Sequence, residues 1–150
     1  MRHLAGRLVS VIEDHAEALT RDTVKRLQSS EHTSSYKKLP SGELSSRVNQ
    51  LYENLGRWLW ENSDRSMQAW YNKLGEKRCS EDVPLEEVLW ALFLTKYQLV
   101  NYLDACAPAD SAMEMYRKQE FERMVGQFFD RAACYAAEGY EREASAPETR

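Results

Sequence analysis

The stretch from Leu85 to Leu103 constrains the fold more than any other part of the chain. Leu85, Val88, Leu89, Trp90, Leu92, Phe93, Leu94, Tyr97, Leu99, Val100 and Leu103 cover most of the circumference of a helix. A helix apolar nearly all round has to be surrounded by others, so the pattern predicts a central helix running to about Ala105. Pro84 suits its first turn, where a missing N–H costs nothing. Glu86 and Glu87 suit the positive end of its dipole. The most apolar run, Val88 to Leu94, is far shorter than the roughly 20 residues a membrane span needs.

Glycine (6) and proline (4) are scarce in 150 residues, which starves a β-fold of turns and favours long helices. Helical spacing supports four more. Leu4, Leu8, Val11, Ile12, His15 and Leu19 share a face of a first helix over residues 2–29, and the face blurs at Val24 and Leu27. Residues 30–41, polar and ending in Pro40-Ser41, read as a loop. A second helix covers 42–61, with Leu44, Val48, Leu51, Leu55, Trp58 and Leu59 as its apolar residues. Ser63 is a candidate cap for a shorter third helix carrying Met67, Trp70, Tyr71 and Leu74, extending to about Ser80. Asp110 or Ser111 can cap the last, over 112–142. There Phe121, Met124, Val125, Phe128, Ala132 and Tyr135 recur near 3.5-residue spacing, close to a coiled-coil seam. The expected architecture is therefore all-α, with about five helices in a globin-like or helical-bundle arrangement and no sheet. Residues 1–142 form one domain and 143–150 a polar tail. Residues 135–150 are expected to matter less to the fold than to signalling.

The chain carries a formal charge of −4, without the basic surplus usual in a nucleic-acid binder. Three cysteines, Cys79, Cys106 and Cys134, form no C-x-x-C pair and fit a reducing compartment. Arg7 and the Glu13-Asp14-His15 run interrupt any signal peptide. These features place the protein in the cytoplasm, away from membranes and nucleic acid.

Catalytic apparatus is not recognisable. The histidines, His3, His15 and His32, all precede residue 33, far from any cysteine, so neither a zinc motif nor a late proximal haem ligand is present. No metal and no cofactor is expected. His15 reads as a half-buried histidine satisfied by a neighbouring helix. No nucleophile elbow or phosphate-binding glycine pattern occurs. Glu76, Arg78 and Cys79 would be the nucleus of any dispersed catalytic site, with the neighbouring cations lowering the thiol pKa. Arg78 is otherwise an anion partner, a helix clamp or a surface ion pair. The aromatics fill a core, build a dimer seam or line an apolar pocket; Trp70, Tyr71, Trp90, Phe93 and Tyr97 would form the pocket wall. Trp58, Leu59 and Trp60 are consecutive and cannot all face one way.

The segments LGRWLWENSD (55–64), YNKLGEKR (71–78), VPLEEVLWALFLTKYQLVNYL (83–103) and FFDRAACYAAEGYE (128–141) resemble the helical N-terminal sensor domains of bacterial RsbR-type stressosome co-antagonists, which also precede histidine kinases. The family favours glycine before the Ile/Val-Pro step, where this chain has Asp82. The resemblance implies a non-haem, globin-like, non-catalytic signal-input domain. It is expected to be homodimeric through its last helix and to act on a signalling partner or a downstream effector domain, as a stand-alone member or as an excerpt of a longer protein. A small apolar ligand fits the same reading. The alternative is a small-molecule or cofactor-binding helical carrier, resting on the aromatic density alone.

Overall fold

A computed structural model describes residues 2–61 and 64–147, and side chains within 7–59 and 64–147. Every element described is helical: α1 (Arg2–Asp14), α2 (Ala16–Ser29), a 3-10 segment (Glu31–Lys38), α3 (Ser41–Glu61), α4 (Asp64–Ser80), α5 (Leu85–Cys106) and α6 (Ala112–Ser145). The all-α class holds, but with seven helical elements where five were expected. No helix among the described residues is long and apolar enough to cross a membrane.

Two elements depart from expectation at the N-terminal end. The first helix kinks at His15, whose backbone leaves the helical region (φ −111°, ψ 17°). The kink turns the second half of the helix, so that Leu8 and Ile12 before it and Leu19, Val24 and Leu27 after it are all buried. That explains why the apolar face blurs in sequence. His15 itself is exposed, not half-buried; its Nδ1 lies 2.8 Å from the Val11 carbonyl in its own turn. The polar stretch read as a loop is the 3-10 segment. It buries Thr33 and Tyr36, and the Thr33 hydroxyl donates to the Leu27 carbonyl at 2.6 Å. Leu4, Trp60 and Ser63 lie outside the residues whose side chains are described.

The remaining ends follow local chemistry. Pro84 stands one position earlier than expected, at the N-cap, and its carbonyl accepts from Glu87 and Val88. The Ser111 hydroxyl caps α6 by accepting from the Glu114 N–H at 3.1 Å. Helix α6 continues to Ser145, through the first residues of the expected tail. Asp82, in the turn before Pro84, is left-handed (φ 60°). The family's glycine would adopt that conformation freely, and Asp is among the few other residues that tolerate it.

Helices α4 and α6 share the most extensive packing of the molecule. At their crossing the backbones meet with nothing between them. A Cβ at Gly75 would overlap the Ala136 carbonyl, and one at Gly139 would overlap the Asn72 carbonyl. Asn72 donates to the Tyr135 carbonyl at 2.7 Å, and the Tyr140 hydroxyl donates to the Val83 carbonyl at 2.7 Å. Removing residues 135–150 would therefore take away the closest approach of these two helices. Gly126, also in α6, has open space where a Cβ would stand. Gly75→Ala and Gly139→Ala should each lower stability by about 2 kcal/mol through forced overpacking. Gly126→Ala should raise it by about 0.5–1 kcal/mol through helix propensity. Urea unfolding of the three variants checks the contrast.

Candidate functional site

The aromatic residues expected to wall one pocket divide between two places. Trp70, Tyr71 and Arg78 line a half-open cavity of about 50 Å³ between α2, the 3-10 segment, α3, α4 and α5. Trp90, Phe93 and Tyr97 lie on the outer face of α5, 36%, 45% and 46% exposed. The helix expected to be surrounded thus keeps one face open. Periodicity could not reveal this, because an apolar face looks alike whether its own chain covers it or not.

Two features of α4 build the inner site. Tyr71 packs into an aromatic cluster, with ring centroids 4.8 Å from Trp70, 6.1 Å from Trp58 and 6.0 Å from Phe128. It is fully buried, and its hydroxyl has no hydrogen-bond partner among the described residues. Burial pushes that hydroxyl well above its ordinary pKa, so it stays protonated. Two turns on, Arg78 is 2% exposed. Its Nη1 donates to Glu81 at 2.7 Å and its Nη2 to Glu43 at 3.3 Å, while its guanidinium carbon sits 5.4 Å from the Tyr36 ring centroid. Its Nε is buried without a partner. Burial pushes the Tyr36 hydroxyl up to about 12, against the opposing pull of Arg78. Arg78 is thus a clamp joining the 3-10 segment, α3 and the turn after α4, not a surface ion pair.

Sequence reasoning missed the partners of this clamp. Glu43 also accepts from Arg47 Nε at 2.6 Å, and Arg47 lies over the Trp70 ring at 5.7 Å. Glu87, read as a dipole partner, is buried, and its carboxylate accepts from the Ser35 N–H (2.7 Å) and hydroxyl (2.9 Å), tying the 3-10 segment to α5. The only advance signal was an unpaired acid at a helix start. Cys79 does not behave as an activated thiol. Burial raises its pKa, and the nearby Glu143 and Asp82 carboxylates raise it further, while Arg78 turns into the core. Cys79, Cys106 and Cys134 are free, and no His/Cys/Asp/Glu group suited to a metal converges among the described residues.

In α6, Phe121, Val125, Phe128 and Ala132 are in the chain's own core, and Met124 and Tyr135 are half-buried. The coiled-coil-like spacing expected to mark a dimer seam faces α4 and α5 within one chain.

Burial acts to raise the Glu43 pKa, but Arg78 and Arg47 outweigh it and hold the carboxyl below its ordinary value. A lowered pKa contributes stability above the free carboxyl's range, and this is lost as pH falls through the lowered value. Glu43→Gln should therefore flatten the acid limb of a stability-against-pH profile. Arg78→Met should cost about 2–3 kcal/mol in urea unfolding, because it removes the buried charge that Glu43 and Glu81 share and leaves them only Arg47 and Lys77 at a partly buried site. Arg78→Lys should recover less than half of that loss, lacking the planar fork.

The family pattern described as the RsbT co-antagonist protein rsbRD N-terminal domain matches residues 17–150. Neither curated proteins nor solved structures gave a match. The matched stretch starts just beyond the His15 kink and takes in Gly75 and Gly139, the core cavity and the Arg78 clamp. The chain belongs to the rsbRD N-terminal domain family.

Proposed function

We propose that this protein is a non-catalytic signal-input domain of a bacterial stress-signalling system. In this reading residues 1–142 act as one domain with a globin-like, haem-free helix arrangement, working in the cytoplasm as a homodimer. Family membership supports the regulatory role, since the family is named for co-antagonists of a protein partner. The observation that carries the dimer is the open stripe on α5. Trp90, Phe93 and Tyr97 follow one another at three- and four-residue spacing along one face. Large apolar side chains so aligned are the usual mark of a protein contact.

The charges beside the stripe favour a second copy as occupant. Lys96 lies 5.2 Å above Phe93 and 5.5 Å above Tyr97, and Asp130 of α6 lines a small notch with Phe93 and Lys96. One cation and one anion flanking the same patch are self-complementary, as a two-fold interface requires. Helix α6 then carries a change of packing towards a signalling partner or an effector domain. The shift is between two packings, biased by whatever binds one of them better.

The carrier alternative draws on the core cavity. At about 50 Å³ it is far below the roughly 300–1,000 Å³ of drug-sized sites, so it suits a small molecule and not an organic cofactor.

Native mass spectrometry should show a dimer at tens of micromolar, and Phe93→Glu should give a monomer with an unchanged far-ultraviolet circular dichroism spectrum. A monomeric wild type, or a Phe93→Glu variant that stays dimeric, overturns the α5 interface.

A further inference from the structure

We infer that the surface depression between α3 and α4, lined by Arg47, Trp70, Lys73 and Lys77, docks an acidic peptide segment of a protein partner. Carboxylates of the segment lie on the cations and an apolar side chain lies on the indole. The inference rests on the signal-input reading, which gives the domain a partner to meet, and adds that partner's chemistry.

The sign of the charge is the first observation. The chain as a whole carries −4, yet three cations and one carboxylate line this depression. That carboxylate, Glu43, is already held by Arg47 and by the buried Arg78. Lys73 is exposed and pairs with no acid among the described residues, and Lys77 meets Glu81 at 3.5 Å with its own side chain 38% exposed. The positive surplus therefore faces water, on a molecule that is otherwise acidic.

The second observation is that the central cation is already oriented. Arg47 Nε donates to Glu43 at 2.6 Å, and Arg78 holds the same carboxylate from the core side. The two terminal nitrogens of Arg47 have no partner among the described residues, while its guanidinium carbon stays 5.7 Å from the Trp70 ring centroid. A planar fork fixed in place loses little freedom when it receives a carboxylate. Trp70 is half-buried and backed by Trp58 and Tyr71, with ring centroids at 5.7 and 4.8 Å, so the indole is equally well held. Arginine and tryptophan held in this way are the residues that dominate protein contacts.

Spacing and neighbours narrow the occupant. Lys73 and Lys77 stand one helical turn apart, about 6 Å along α4. Alternate residues of an extended strand are about 7 Å apart, so a short run of acids can meet both. Ser46 and Gln50 add neutral donors and acceptors for a peptide backbone. A small free anion would use the cations and leave the indole idle. A nucleic acid needs many phosphates neutralised at once, and three cations beside a carboxylate are too few.

The test titrates the capped pentapeptide Glu-Glu-Phe-Glu-Glu into the full chain and follows amide NMR, with Gln-Gln-Phe-Gln-Gln, inorganic phosphate and oligoadenylate as comparisons. The expected result is a saturable shift centred on Arg47, Gln50, Trp70, Lys73 and Lys77 with the acidic peptide, weakened by added salt, and none with the glutamine peptide. Lys73→Glu should weaken the acidic peptide about fivefold or more, and Lys73→Arg should restore it. Lys96→Glu, which reverses a cation on α5, should leave binding unchanged. No saturable shift, or one that survives Lys73→Glu, overturns the surface. An equal loss in Lys96→Glu overturns it in favour of general charge attraction. Phosphate binding as tightly as the peptide overturns the peptide in favour of a free anion, and tighter binding of oligoadenylate overturns it in favour of a nucleic acid. A monomeric protein that binds the peptide supports this surface and sinks the dimer, and a dimer that does not bind sinks only this surface.

Discussion

The backbone contact between α4 and α6 at Gly75 and Gly139 sets the position of everything else in the site. Two helices ordinarily stand apart by the depth of their interlocking side chains. Here the side chains are missing at the crossing, and each glycine faces a carbonyl of the other helix. Asn72 holds the register by donating to Tyr135 and accepting from Arg142. With α4 fixed in this way, Tyr71 falls one turn before the crossing, among the core aromatics. Arg78 falls nearly one turn after it, facing Tyr36.

The Arg78 cluster is a costly way to hold three elements together. A guanidinium removed from water is tolerated only where carboxylates and a π-face replace its hydration. Glu43, Glu81 and Tyr36 do so here, and each comes from a different part of the chain. An apolar residue of similar volume could fill the same space, but it would not select among alternative placements of the 3-10 segment. The cluster therefore acts on which packing is adopted as well as on how stable it is.

Much of this was readable from residue spacing, because helix ends are local events. Ser111 before an apolar helix, Pro84 before another and the Cys106-Ala107-Pro108 stop each act within one turn, and the structure places ends near all three. Non-local features were not readable. The His15 kink depends on which partners bury Leu8 and Val24, and the 3-10 segment persists because Tyr36 has Arg78 above it and Ser35 has Glu87. In the candidate site, Trp70, Tyr71 and Arg78 were brought together, whereas Trp90, Phe93 and Tyr97 were not. An aromatic on a helix announces burial against something, and only the packed chain says whether that something is itself. The near-heptad of α6 misled for the same reason, since α4 and α5 supply the neighbours that a second chain was expected to supply.

Length makes the glycine crossing a fulcrum. Helix α6 has 34 residues against 17 in α4, so it extends about 51 Å beside a partner about 26 Å long. Gly139 lies near one end of that rod, and Met113, Met115 and Tyr116 stand exposed near the other. The arm between Gly139 and Met115 is about 36 Å, so a tilt of some three degrees at the crossing swings the far end through about 2 Å. A tilt at the crossing would thus be felt at the far end of α6, where three exposed apolar side chains would present it to a partner.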